Sequence, residues 1–337
     1  MQAYRIRRGA GINGLQRLGR ELPPPAPHEV RVRMRAVALN YRDLMVARGA
    51  MGARDKAIVP GSDGAGEVVA VGSHVTHLKP GDRVIAAFFP RWIDGPPTAE
   101  STAVGLGGGI DGVLAEDVLI DADALVPMPA HLSYAEAATI PCAGVAAWNA
   151  LLADGALTAG DCVLLLGTGG VSVWALQLAK AAGLRTIITS SDDLKLERAR
   201  RLGADATINY RTIQEWDREV LRLTQERGVD RVLEVGGPRT LRRSIAATRI
   251  GGSVAIVGNV GGSVGDFDPF DLIDGAKMLR GVLVGSRQMT FDLVQFLAAR
   301  RLRPLVDRVF PFAQAREAYA YLEAGRHFGK VVVDIGD

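Results

Sequence analysis

The chain has 337 residues, 48% of them hydrophobic, with 40 lysines and arginines against 37 acidic residues. That length exceeds what one core usually organises, so two domains with large buried interiors are expected. A net charge of +3 without a basic stripe argues against a nucleic-acid partner, and two cysteines exclude a disulfide scaffold or a four-cysteine metal cluster.

From Met1 to about Leu125 the pattern is β. Alternating runs such as EVRVRMRAVAL (29–39), AGEVVAVG (65–72) and DRVIAAF (82–88) are separated by Gly and Pro turns, with glycines at 61, 64, 66, 72 and 81 spaced as in tightly bent barrel strands. A long Gly/Pro-rich segment, 90–112, reads as a lid or a disordered insertion, and its Trp92 as a cleft wall or an aromatic tucked into the barrel. After Pro127 the period changes. Residues 133–152 are expected to be helical, with Ser133 and Glu136 as a capping box.

The segment VLLLGTGGVSVWALQLAKAAGLRTIITSS (163–191) predicts a buried strand, a glycine turn, an apolar helix opening at Val171 and a second strand. Gly167, Gly169 and Gly170, with Thr168 and Val171, form a turn able to approach a pyrophosphate, with the positive end of the helix behind it. The usual last glycine of such a turn is Ser172 here. Further strands at 206–210, 229–237, 253–258 and 279–286 alternate with helical patterns, so a doubly wound parallel sheet of six strands is expected. Two more helices (291–300 and 313–325) and the strand KVVVDI close the chain. No signal peptide and no membrane-spanning run are read from the sequence, and a cytoplasmic protein without membrane partners is expected.

Three motifs, GSDGAGEVVAVGSHVTHLKPGDRV (61–84), the glycine turn followed by ALQLAKAAG, and HFGKVVV (327–333), resemble the medium-chain dehydrogenase/reductases. ALNYRDLM (38–45), LEVGGPRTL and VGSR are similar to the zinc-free, quinone-oxidoreductase-like branch of that family. The resemblance implies an α/β fold: a GroES-like β-barrel catalytic domain over 1–126, a Rossmann NADP(H)-binding domain over 127–284, and a return to the catalytic domain over 285–337. It also implies a substrate cleft between the domains and a homodimer formed through the last Rossmann strand, 279–286.

Zinc-dependent relatives supply Cys, His and Cys to a catalytic metal; the matching positions here are Asn40, Ser62 and Cys142, with Asp63 beside Ser62. One thiol with an amide and a hydroxyl falls short of three good ligands, and His74 and His77 read as surface residues, so no zinc is expected.

NADPH is the expected cofactor. Ser191 stands where NAD-preferring domains carry an acid, Ser190 can donate, and Lys195 lies one turn into the next helix, in reach of a 2′-phosphate. Asp192 would instead favour NADH if the strand ended one residue later, and Ser190 is also at capping-box spacing from Asp193. The resemblance adds Tyr210, Arg326 and Lys330 as cofactor contacts, and Gly258, Asn259, Val284 and Ser286 in segments that hold the nicotinamide carboxamide.

Around the hydride, the resemblance points to Asn40, Tyr41 and Asp43, and Arg287 is a candidate to polarise a substrate oxygen. Where some enoyl-reducing relatives carry a proton-donating tyrosine, this chain has Met51. The expectation is an NADPH-dependent reductase of small electrophiles, quinones or α,β-unsaturated carbonyls. Two alternatives stay open: a zinc-free alcohol dehydrogenase or carbonyl reductase, and a crystallin-like or regulatory NADPH-binding protein with little turnover.

Overall fold

Along Glu29–Leu39, buried Val30, Val32 and Met34 alternate with Arg31, Arg33 and Arg35, the pattern of a strand with one face on a core. In the computed structural model, which describes residues 1–51, 57–262 and 268–336, this strand is the spine of the first of two compact units. The first unit comprises Met1–Val145 with Gly285–Asp337, and the second Ala146–Val284. Asp337, the end of the expected third segment, lies outside the described residues.

In the first unit the spine pairs antiparallel with Asp63–Val71, Asp117–Asp121 and Lys330–Asp334. The sheet runs Val306–Pro311, Lys330–Asp334, Glu29–Leu39, Asp63–Val71, Arg83–Ala86, Leu125–Pro127, and Gln2–Arg7 lies between Gln16–Gly19 and Ala57–Ile58 in a smaller sheet. Glycine is required where the spine crosses Asp63–Val71: a Cβ on Gly66 would lie 2.3 Å from the Arg33 carbonyl oxygen, beside a register shift. The strand Val306–Pro311 was not expected from the sequence. Only Phe310 of its six residues is buried, which leaves no alternation to read.

The boundary expected at 126/127 falls instead at Val145/Ala146. The single helix expected over 133–152 is three pieces: Tyr134–Ala137 with its Ser133/Glu136 capping box, a π turn at Ile140–Gly144, and Val145–Leu151. Pro141 has no N–H for a helical ladder, and the Cys142 N–H donates to Asp63 Oδ2 at 3.1 Å, which ties the segment to the barrel.

The 90–112 segment is neither a disordered insertion nor a free lid at its ends. Trp92 is 2% exposed against Phe89, so it is tucked into the barrel. The Trp92 and Ile93 carbonyls accept the Arg287 and Gln288 N–H groups at 2.8 and 2.9 Å, which satisfies the first turn of the helix Arg287–Arg300. At the far end, the Gly112 N–H donates to the Val59 carbonyl at 2.7 Å and the Val113 N–H to the Gly61 carbonyl at 2.9 Å.

The second unit is a six-stranded parallel sheet in the spatial order Ala206–Asn209, Arg185–Ser190, Cys162–Leu165, Val229–Glu234, Thr248–Ile256, Met278–Gly281. This order reverses between Cys162–Leu165 and Val229–Glu234, the switch point at which doubly wound sheets bind ligands. The last strand is shorter than the expected 279–286, because Val284, a β-branched residue, sits at φ 49° and cannot continue it. Its carbonyl accepts the Asn149 side-chain amide at 2.8 Å. Among the described residues no helix is long and apolar enough to cross a membrane.

Within the first unit, the helix Tyr41–Ala47 packs on Ala315–Glu323, with Asp43 and Tyr319 buried. Asp43 Oδ2 accepts the Asn40 N–H at 2.8 Å, while Asp43 Oδ1 and the Tyr319 hydroxyl have no hydrogen-bond partner among the described residues. Burial raises the Asp43 carboxyl from its ordinary 3.8 to about 6. Burial, and then the charge of Asp43, pushes the Tyr319 hydroxyl well above the usual range. A raised folded-state value means that the folded protein holds this proton more tightly than the unfolded chain. The resulting stability is present below about pH 4 and is lost as pH rises through about 6. Asp43→Asn removes the ionisation, so denaturant unfolding should show a flatter stability profile between pH 4 and 7. At pH 7 the variant should gain roughly 1–3 kcal/mol; an unchanged profile would contradict the assignment.

Candidate active site

Of the expected cofactor residues, those from Gly167 to Val284 lie in the second unit, and Ser286, Arg326 and Lys330 lie in the first. Gly167 closes the turn after Cys162–Leu165 with φ 72°, and a Cβ on Gly167 or Gly169 would meet no protein atom within 4 Å. The helix Gly170–Ala181 starts at Gly169 with no side-chain cap, an arrangement suited to an anion. The hydroxyl of Ser172, which stands in place of the usual last glycine, is buried and donates to the Leu166 carbonyl at 2.6 Å. Thr168 and Thr189 were not both legible as a pair: the Gly167 N–H donates to Thr189 Oγ1 at 3.1 Å, and the Thr168 and Ser190 hydroxyls are 3.2 Å apart.

Ser190 ends its strand and Ser191 follows in the turn. The residue that caps the next helix is Asp192, not Ser190: its Oδ1 accepts the Leu194 and Lys195 N–H groups at 2.8 and 3.2 Å. The carboxylate that would favour NADH is thus engaged by the helix, and Lys195 lies in its first turn. The Tyr210 N–H donates to the Ser190 carbonyl at 3.1 Å, which sets Tyr210 beside that turn with 42% exposure.

On the other side of the switch point, Glu234 is a functional candidate that periodicity did not reveal, an acid closing an apolar run and fully buried. Its Oε1 accepts the Gly236 and Gly237 N–H groups and the Thr240 hydroxyl at 2.6, 3.0 and 2.7 Å, and its Oε2 accepts the Ser244 hydroxyl. The Glu234 carbonyl accepts the Val257 and Gly258 N–H groups at 2.8 and 3.3 Å. One residue therefore holds both loops, and a Cβ on Gly237 would strike Asn259 Oδ1 at 2.1 Å.

In the first unit, Asn40 caps the helix Tyr41–Ala47, with Tyr41 40% exposed at its first position. Behind Asn40 is a cluster that only the fold assembles. Lys330, 2% exposed, donates to the Leu39 carbonyl at 2.7 Å and to Asn40 Oδ1 at 2.6 Å, and stands 3.9 Å from Asp63 Oδ2. Ser62 donates to Asp63 Oδ1 at 2.7 Å, and Asn40 Nδ2 donates to Ser62 Oγ at 3.4 Å. Burial raises the Asp63 carboxyl and the nearby Lys330 ammonium opposes that rise. Burial, and then Asp63, pushes the Cys142 thiol far above its ordinary value. The protein partners of the Lys330 ammonium are barrel oxygens.

The Arg287 guanidinium donates to the Leu125 carbonyl at 3.3 Å, and Ser286 Oγ caps the same helix by accepting the Met289 N–H at 3.1 Å. Arg326 is exposed in the turn before Lys330–Asp334. His74 Nδ1 lies 3.2 Å from His28 Nε2 on the surface, and no group of three or more His, Cys, Asp or Glu suited to a metal occurs among the described residues.

Residues 26–130 match the alcohol dehydrogenase GroES-like domain, and residues 170–299 match the zinc-binding dehydrogenase domain. A zinc-type alcohol dehydrogenase-like protein of Schizosaccharomyces pombe is 43% identical over 317 residues, 92% of this chain and 91% of that protein. Among solved structures, an NAD-dependent alcohol dehydrogenase is 35% identical with a TM-score of 0.91, covering 100% of both chains. The crotonyl-CoA carboxylase/reductase AntE in complex with NADP is 26% identical with a TM-score of 0.88, covering 99% of this chain and 94% of the other. A quinone oxidoreductase of Pseudomonas syringae pv. tomato DC3000 is 26% identical with a TM-score of 0.83, covering 99% of both. With a nucleotide-binding turn on a doubly wound sheet and a GroES-like barrel bearing Asn40 and Lys330, the chain belongs to the medium-chain dehydrogenase/reductase family of oxidoreductases.

Proposed function

We propose that this protein is an NADPH-dependent, zinc-independent reductase of quinones or α,β-unsaturated carbonyls. The observation that carries the reading is the cluster around Lys330. At the positions of the family's zinc ligands stand an amide, a hydroxyl and a single thiol, with an ammonium 2.6 Å from Asn40 Oδ1. Zinc does not fit a donor set with one thiol and an adjoining cation.

A nicotinamide cofactor fits the second unit, and when bound it supplies a hydride. The turn from Gly167 to Val171 would hold the pyrophosphate, and Ser190, Ser191, Lys195 and Tyr210 the adenosine phosphate. Gly258, Asn259 and the Val284 backbone would hold the carboxamide. Preference for NADPH is supported by the engagement of Asp192 as a helix cap and by Lys195 one residue beyond Leu194. In the first unit, Asn40, Tyr41 and Arg287 would donate hydrogen bonds to the acceptor oxygen. A quinone or enone spreads the arriving charge over a π-system, so neutral donors suffice where an isolated ketone needs a Lewis acid or a strong acid. The 35% identity to an NAD-dependent alcohol dehydrogenase favours a second reading, zinc-free alcohol or carbonyl turnover with NADH.

A homodimer is part of the proposal. Met278–Gly281 is an edge strand, with Met278 59% exposed and Leu283 50% exposed, and an uncovered apolar edge invites pairing. Light scattering should give twice the chain mass, and a monomer at micromolar concentration would remove it.

Two measurements test the chemistry. NADPH oxidation should be faster with small quinones or enones than with saturated ketones of similar size, and unchanged by chelators. Tyr41→Phe should lower kcat by less than the roughly 10²-fold lost with an essential acid. Turnover confined to saturated ketones or simple alcohols, or abolished by chelation, would overturn this reading. Separately, Lys195→Ala should weaken NADPH binding by roughly 1–3 kcal/mol and leave NADH nearly untouched, as read from kcat/KM for each cofactor.

A further inference from the structure

We infer that Lys330 is a positioning residue that locks the Asn40 side-chain amide in one sense, its oxygen on the ammonium and its N–H groups on the Ser62 side, the sense in which it can donate to an acceptor. The inference rests on the proposed role of Asn40 beside the acceptor, and adds what holds it there.

The two ends of an asparagine amide are alike in shape, and only the partners decide which is oxygen and which is nitrogen. Here every partner has one available sense. An ammonium donates and cannot accept, so the atom 2.6 Å from Lys330 Nζ is the amide oxygen. Ser62 gives its proton to the fully buried Asp63 carboxylate at 2.7 Å, so its oxygen is left to accept from Asn40 Nδ2 at 3.4 Å. The ring of bonds from Lys330 through Asn40 and Ser62 to Asp63 closes electrostatically, with Asp63 Oδ2 3.9 Å from the ammonium. The Asn40 amide also helps hold the Asp63 charge, on a side chain that stays 8% exposed. An ammonium on the carbonyl end also draws electron density from the amide nitrogen and makes that N–H a stronger donor.

Reversing the amide would set an NH2 group against an ammonium and leave the Ser62 oxygen facing an acceptor. The buried lysine therefore turns a two-fold choice into one. Its backbone is fixed as firmly: Val331 pairs with Leu39, so the register that puts Lys330 beside Asn40 is a register of the sheet itself.

The test needs a readout other than turnover. The chain has five asparagines, so labelling asparagine with 15N gives a short list of side-chain amide signals, with Asn40 assigned by its loss in Asn40→Ser. The wild-type Asn40 amide should give two well-separated proton signals with slow solvent exchange, unlike exposed Asn13. In Lys330→Met those signals should collapse or shift and exchange faster, with NADPH affinity by fluorescence titration unchanged. In the same variant kcat should fall by about 10-fold or more, and Lys330→Arg, also donor-only, should recover part of it. Asn40→Asp keeps a partner for Lys330 but has no N–H to give, and should lose as much; the double variant should be no worse than the poorer single one. A wild-type Asn40 amide that exchanges like Asn13 overturns the inference without any variant, even if Lys330→Met fails to fold. Unchanged signals in Lys330→Met, or losses that simply multiply in the double variant, overturn it as well. A locked amide in a protein that reduces no quinone or enone would instead leave this inference standing and remove the proposed substrate class.

Discussion

A buried ammonium tolerates only oxygens around it, and that requirement organises the first unit. Transferring such a charge from water costs several kcal/mol even after relaxation, and only close, well-aimed acceptors offset it. Lys330 finds them in the Leu39 carbonyl, the Asn40 amide oxygen and the more distant Asp63 carboxylate. They come from two separate pieces of chain, and the lysine from a third. Leu39 ends the central strand, Asn40 caps the following helix, Asp63 opens the neighbouring strand, and Lys330 arrives on Lys330–Asp334 after the whole second unit has been traversed. The C-terminal return completes the charge balance of the candidate site as well as adding a strand to the sheet. Asp63 adds a further link by accepting the Cys142 N–H, which draws in the π turn.

The second unit follows the opposite logic. Where the barrel cluster uses nearly all of its donors and acceptors, the turn after Cys162–Leu165 leaves its helix-start N–H groups uncapped and its glycines facing open space. The order around them is supplied from below. Thr189 holds the Gly167 N–H, Ser190 meets Thr168, and Glu234 anchors two loops with one carboxylate and one carbonyl. Rigid supports beneath an unsatisfied rim are what a preorganised anion site requires.

The local part of this architecture was legible in the sequence because local periodicity and capping carry it. The alternation in 29–39, the Ser133/Glu136 box and the strand–turn–helix after Val163 all rest on residues within a few positions of one another. The failures have a common cause. Lys330 and Asn40 are 290 residues apart, and a lysine opening a strand gives no sign of being buried. Ser190, at capping-box spacing from Asp193, was a credible cap, and only the end of the strand hands that role to Asp192. The 90–112 segment has the composition of a loose insertion, yet its carbonyls serve the first turn of a helix nearly two hundred residues later. The helix over 133–152 breaks because Pro141 withdraws a donor while Asp63, 79 residues from Cys142, offers an acceptor. Long-range pairing of polar groups leaves no period to detect.

The electrostatics of the barrel cluster also constrain the chemistry it can support. The Lys330 charge is opposed by Asp63 at 3.9 Å, and Asp43, titrating near 6, adds a second carboxyl nearby. On the proposed reading, what would reach an acceptor at Asn40 is largely the field of an oriented amide dipole, sharpened by the cation behind it. A dipole's field falls faster with distance than that of a free charge, and it stabilises a concentrated alkoxide far less than a metal dication would. Charge that arrives on a delocalised system needs less help at any one atom.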